Sequence, residues 1–234
     1  MLEGKRLSIL GDSISTYQNI SNNPSYNSKL YYNPYFYRLP FPMEKTYWQR
    51  VINTFGLSLC VNNSWSGGNL SGVDNEDSGV NRVHHLSNNS DEDPDIILIF
   101  MGINDMGRGV NVDVFSADYE IVLQVIKSKY PSAQVCCVNL PDRDPTIKRR
   151  TESFNSAIEN AVKKAGDNFF IADLFSSRLN NDFYYMNTVD GLHPDEDGMK
   201  YIAETIEDAI RKHIQQCQDK TGNKFTERVK DEEQ

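Results

Sequence analysis

The sequence predicts an α/β fold in which a parallel sheet is covered by helices on both faces. Three observations carry the prediction. Of five short apolar runs, most are unbroken rather than alternating, the pattern of strands buried on both sides. Three longer stretches place apolar residues at i, i+3, i+4 and i+7, the rhythm of an amphipathic helix. Strands and helices also alternate along the chain, which implies βαβ units.

The first strand is Leu7–Leu10, and it runs directly into Gly11-Asp12-Ser13. A glycine at a strand end marks a sharp turn. The carboxyl ends of strands in an open parallel sheet are where ligands bind. Residues 16–48 then break the rhythm, being rich in Tyr, Asn and Pro. The second strand, Leu57–Val61, leads into Asn62-Asn63-Ser64-Trp65-Ser66-Gly67-Gly68. A polar stretch, 69–94, ends in Asn88-Asn89-Ser90-Asp91-Glu92-Asp93-Pro94 and enters the third strand, Ile96–Phe100. The first predicted helix, Phe115–Lys129, has apolar positions at 115, 119, 122, 123 and 126. Strand Val135–Val138 follows, then a helix over Thr151–Ala165, strand Phe169–Ala172 and a helix over Asp197–Ile214. Residues 217–234 are charged and nearly free of large apolar groups, so a mobile tail is expected after a single domain of 1–216.

Composition narrows the function classes. The chain has 234 residues, 38% of them hydrophobic and 24% charged, which fits a folded globular protein. The net charge of −9 argues against an extended nucleic-acid footprint, which needs clustered Lys and Arg. The most basic cluster, Lys148-Arg149-Arg150, reads as a solvated helix start. No apolar run approaches the roughly 20 residues of a membrane span. The N-terminus does not resemble a secretory signal, so a cytoplasmic location is expected, or secretion after removal of a leader. Cys60, Cys136, Cys137 and Cys217 lack metal-type spacing and read mainly as small core residues.

Ser13 alone is more often a helix cap than a nucleophile. A serine hydroxyl becomes nucleophilic when a base takes its proton, and histidine is the usual base. Of His84, His85, His193 and His213, the first two fall in a polar loop and the last on a helix face expected to meet solvent. His193 lies in Asp190-Gly191-Leu192-His193-Pro194. This turn can fold the Asp190 carboxylate onto His193 Nδ1 and leave Nε2 for Ser13. Acyl transfer also needs donors aimed at a developing oxyanion. Ile99-Phe100-Met101-Gly102-Ile103-Asn104-Asp105 supplies an Asn104 amide at another strand end, with Asp105 a possible cap for the next helix. Gly67 can bring a backbone N–H close to a ligand, and Gly68 is an alternative.

These four stretches, in this order, resemble the blocks of the SGNH hydrolases, also called the GDSL esterase/lipase family. Each block alone is weak, but together they span residues 11–193. The first block here ends Ile14-Ser15, where the family's short name has leucine. The resemblance implies a flavodoxin-like three-layer α/β/α sandwich around a central, mostly parallel five-stranded sheet. It implies a triad of Ser13, Asp190 and His193. It also implies an oxyanion hole made by the Ser13 N–H, the Gly67 N–H and the Asn104 side chain, with no metal and no organic cofactor.

The expected reaction is hydrolysis of a carboxylic ester through an acyl-enzyme. The insertion at 16–48 bears on the substrate. Tyr17, Tyr26, Tyr31, Tyr32, Tyr35, Tyr37 and Tyr47 are seven of the chain's 12 tyrosines, joined by Phe36, Phe41 and Trp48. Tyrosine offers a flat apolar face with a polar tip, suited to sugar rings; the same rings could instead pack a long loop onto the body. Expected substrate contacts are Tyr17, Trp48, Trp65 and Gly68, and the expected substrate is a short acyl ester on a polar carrier such as an acetylated carbohydrate. Alternatives are a glycan-binding module without catalysis, an acyltransferase, or a lipase or lysophospholipase acting on longer chains.

Overall fold

Five strands form one sheet: β1 (Arg6–Gly11), β2 (Ser58–Ser64), β3 (Ile96–Phe100), β4 (Gln134–Val138) and β5 (Phe169–Ala172). Their order is β2-β1-β3-β4-β5, and every pairing is parallel. This is the flavodoxin-like order expected from the sequence resemblance. The computed structural model describes residues 2–17, 41–88, 90, 92–141, 148–176 and 187–232. Within the insertion, Tyr26, Tyr31, Tyr32, Tyr35, Tyr37 and Phe36 lie outside these residues.

Winding reverses between β1 and β3. From β1 the chain crosses outward to β2, then returns to β3 on β1's other side. Such a switch point opens a crevice at the carboxyl ends of the strands. The register sets what meets there: Gly11 aligns with Ser64 of β2 and Phe100 of β3. The segments after these three strands therefore leave the sheet side by side. Every residue of β3 is buried, as an unbroken apolar run requires at the centre of a sheet covered on both faces.

Among the described residues six helices flank the sheet: α1 (Tyr47–Phe55), α2 (Gly79–Arg82), α3 (Ile103–Arg108), α4 (Val112–Lys129), α5 (Lys148–Ala165) and α6 (Glu196–Glu232). α1 packs on α6, while α4 packs on both α2 and α5. The three helices with the strongest periodicity are present as predicted. In α4, Phe115, Tyr119, Val122, Leu123 and Ile126 are all buried, and the Phe115 ring lies 4.6 Å from that of Phe154 in α5. The stretch read as a charged tail from 217 continues α6 to Glu232. No helix among the described residues is long and apolar enough to cross a membrane.

The structure corrects the burial expected of two side chains. Trp48 does not face a substrate: it is 0% exposed, on the inward face of α1 with Tyr47, Val51 and Ile52. The insertion's last aromatic residues were a helix start in disguise. Thr46 caps the helix, its hydroxyl oxygen accepting the Gln49 N–H, and one apolar face then drives burial. His213 is not on the surface either. It is buried against the sheet edge, stacked 4.1 Å from the Phe170 ring, with Nε2 2.6 Å from Gln134 Oε1.

Candidate active site

The first strand ends on a residue that must be glycine. A Cβ on Gly11 would stand 2.4 Å from Ser15 Oγ and 2.7 Å from Ser64 Oγ. Without it the chain turns tightly into a 3-10 turn at Ser13–Ser15. Asp12 caps this turn, Oδ1 accepting the Ile14 N–H at 3.0 Å. Ser13 thus occupies the turn's first position, where a backbone N–H has no acceptor within the turn. That N–H has no partner among the described residues.

His193 reaches Ser13 from the other end of the chain. Its Nε2 is 2.8 Å from Ser13 Oγ, and its Nδ1 is 2.9 Å from Asp190 Oδ2. The loop that presents it is held by its own polar groups. Asp190 Oδ1 accepts the N–H groups of Leu192 and His193 at 3.0 and 2.8 Å, and Gly191 N–H donates to Thr188 Oγ1. An antiparallel bridge between Thr188 and Pro194 closes the loop, and α6 starts two residues later. One carboxylate therefore shapes the loop with one oxygen and orients the imidazole with the other. His193 is nearly buried, whereas the Asp190 side chain is 42% exposed.

The stretch after β2 forms the opposite wall. Trp65 N–H donates to Gly11 O, and Gly68 N–H donates to Trp65 O at 3.0 Å, closing a turn. Gly67 sits inside that turn at φ 75°, a conformation that costs glycine nothing and other residues strain. The Gly68 amide is consumed by the turn, while the Gly67 N–H has no partner among the described residues. Asn104, at the start of α3, donates from Nδ2 to Gly68 O at 3.0 Å. Its other hydrogen has only a 3.5 Å contact to Asp12 Oδ2, too long for a strong bond. Three donors with spare capacity, from Ser13, Gly67 and Asn104, thus border one crevice.

Of the remaining expected contacts, Trp65 is half-buried within the turn. Tyr17 is half-buried with its hydroxyl 3.4 Å from Phe41 O, and burial raises its pKa. His84 and His85 are exposed. No cluster of three or more metal-ligating side chains occurs among the described residues.

Two buried charged residues beneath the crevice have roles that the sequence did not indicate. Asp105 does not cap the helix as suggested. It is 0% exposed and accepts the N–H groups of Leu70 and Ser71 at 2.7 and 2.8 Å, which pins the loop after β2 to α3. Desolvation raises its pKa against those bonds. Arg82 of α2 is also buried and donates to the carbonyls of Gly11, Asn63 and Asp77. Its charge ties the ends of β1 and β2 together and faces Asp12. Even so, burial pushes the Asp12 carboxyl up to about 7, with Arg82 and the Ile14 N–H pulling it down and Asp105 adding to the rise. Arg82 carries no sequence signal, because a lone Arg in a polar stretch reads as solvated, and Asp105 reads locally as a helix cap.

The profile of the GDSL-like Lipase/Acylhydrolase family matches residues 5–210. A search of curated proteins finds no match. Among solved structures, a protein from Bacteroides ovatus assigned as a GDSL-like lipase superposes with a TM-score of 0.71 at 24% identity, over 90% of this chain and 99% of its own. The psychrotrophic esterase EstA from Pseudoalteromonas gives 0.60 at 18%, over 90% and 99%. A carbohydrate esterase family 2 enzyme from Corynascus, solved with its carbohydrate-binding domain, gives 0.60 at 22%, over 90% and 66%. With the family profile covering most of its length, and with the parallel sheet and crevice just described, the chain belongs to the GDSL-like lipase/acylhydrolase family of hydrolases.

Proposed function

We propose that the protein is a serine esterase that cleaves short acyl groups from a polar carrier such as an acetylated carbohydrate. The observation that carries the reading is the continuous contact Ser13 Oγ–His193 Nε2–Asp190 Oδ2, at 2.8 and 2.9 Å. His193 takes the Ser13 proton as Oγ attacks the ester carbonyl, and Asp190 fixes the tautomer and stabilises the imidazolium. The oxyanion is held by the N–H groups of Ser13 and Gly67 and by Asn104 Nδ2. His193 then protonates the leaving alcohol, and water deprotonated by His193 releases the acid. No step calls for a metal or organic cofactor. Gly67 is preferred to Gly68 as the donor because the Gly68 N–H already closes the turn.

The polar carrier draws on the likeness to a carbohydrate esterase, on half-buried Trp65 and Tyr17 beside the crevice, and on the tyrosine-rich insertion. An ester panel from acetyl to long-chain acyl groups, with acetylated sugars included, tests the reading. Ser13→Ala is expected to remove nearly all turnover with the fold retained. Asn104→Ala is expected to lower kcat by about 10²–10³. Silence toward every ester, with measurable binding of sugars, would replace the enzyme with a glycan-binding module. Ester product formed with an added alcohol acceptor would make it a transferase.

A further inference from the structure

We propose that Arg108 and Arg150 make an anion-recognising rim beside the crevice, so that preferred substrates carry a carboxylate close to the ester. This deepens the esterase reading and rests on it. The chain has 33 acidic and 24 basic residues, so an exposed arginine has carboxylates in surplus. Arg6 reaches Glu92, Arg50 reaches Glu196, and Arg211 reaches Glu207 and Asp208. Arg108 and Arg150 are exposed, yet neither has a carboxylate partner among the described residues.

Their position relates them to the reaction. Arg108 Nη1 donates to Gly67 O at 2.6 Å and to Asn69 Oδ1, which leaves Nη2 and Nε uncommitted. Nη2 stands 3.2 Å from where a Cβ on Gly67 would lie, beside the N–H assigned to the oxyanion. Arg150 Nη2 stands 3.6 Å from the corresponding point on Gly109, the residue after Arg108. Guanidinium groups from two different helices thus flank the segment between Gly67 and the end of α3. Helix stability does not account for the second. The first turn of α5 holds Lys148, Arg149 and Arg150 with no acidic residue, and cations there oppose the helix macrodipole. A carboxylate seated beside this segment offsets that repulsion and matches the planar fork of arginine.

The test compares kcat/KM within matched ester pairs at low salt. p-Nitrophenyl hemisuccinate against p-nitrophenyl butyrate places the charge on the acyl side. An acetylated methyl glucuronoside against the acetylated methyl glucoside places it on the alcohol side. The wild type is expected to favour the charged member of at least one pair roughly tenfold, the worth of one charge-assisted hydrogen bond. That ratio is expected to shrink as salt rises. Arg108→Gln and Arg150→Gln should each collapse the ratio, Arg108→Lys should restore part of it, and Arg211→Gln should leave it alone. A role for Arg108 confined to bracing Gly67 would slow both members alike and leave the ratio unaltered, which overturns the proposal. Equal rates on both pairs in the wild type overturn it too, with the esterase reading intact. Failure to cleave any ester removes both.

Discussion

At the residue scale, the informative group is Asp12, next to the proposed nucleophile Ser13. Its carboxyl titrates near 4 in the unfolded chain and at about 7 when buried. Between those values the native state holds a proton that the unfolded state has released. Stability therefore falls as pH rises from about 4 to 7 and stays low above that. Asp12→Asn keeps an acceptor for the Ile14 N–H and cannot ionise. Urea unfolding should find this variant more stable than wild type at pH 8, by at most about 4 kcal/mol, with roughly three quarters of that gain gone at pH 4.5. An equal difference at both pH values would show that ionisation of Asp12 is not what burial opposes. Asn104 depends on the same group, because its second hydrogen faces either Asp12 Oδ2 or a developing oxyanion.

At the element scale, three consecutive strand ends each contribute a wall of the crevice, and buried polar residues hold those walls in register. Asp105 is the clearest, one carboxylate serving two backbone N–H groups of the loop after β2. Asp105→Ala strands both donors in a buried place, at about 1–3 kcal/mol each. The expected result is a lower denaturation midpoint together with a fall in kcat, because Gly67 and Gly68 belong to the same loop. Wild-type kcat in a measurably destabilised variant would separate the loop's stability from the donors' aim. The helices divide along similar lines. Those with long, regular periodicity were visible in the sequence. α1 was not, because Tyr47 and Trp48 belong equally to an aromatic loop and to a buried helix face until the sheet is there to receive them. α2 and α3 are too short for periodicity to register.

At the scale of the whole molecule, the sheet order converts distance along the chain into proximity. Ser13 and His193 lie 180 residues apart and share a hydrogen bond, because β1 sits at the switch point and the loop before α6 returns over it. The same layering decides thiol reactivity. Cys60, Cys136 and Cys137 are buried, and burial lifts the thiols of Cys136 and Cys137, whereas Cys217 is exposed on α6. A thiol reagent should therefore titrate one cysteine rapidly in the native protein and all four after unfolding. Rapid reaction of two or more would contradict the buried core.

Sequence alone determined the architecture and named the groups proposed to react. Both are local in origin: unbroken apolar runs state that a strand is covered twice, and a turn sequence at a strand end states that a side chain is presented. It also anticipated the contact between Asp190 and His193, since a three-residue separation lets one carboxylate order its own loop. Only the tertiary structure decided which glycine amide remains available, that Trp48 and His213 turn inward, that Asp105 and Arg82 brace the crevice, and that Arg108 lies beside Gly67 and Arg150 beside Gly109. Each of these depends on what a different segment brings alongside. A side chain's burial and its hydrogen-bond partners are properties of packed neighbours, and the chain's own order does not name them.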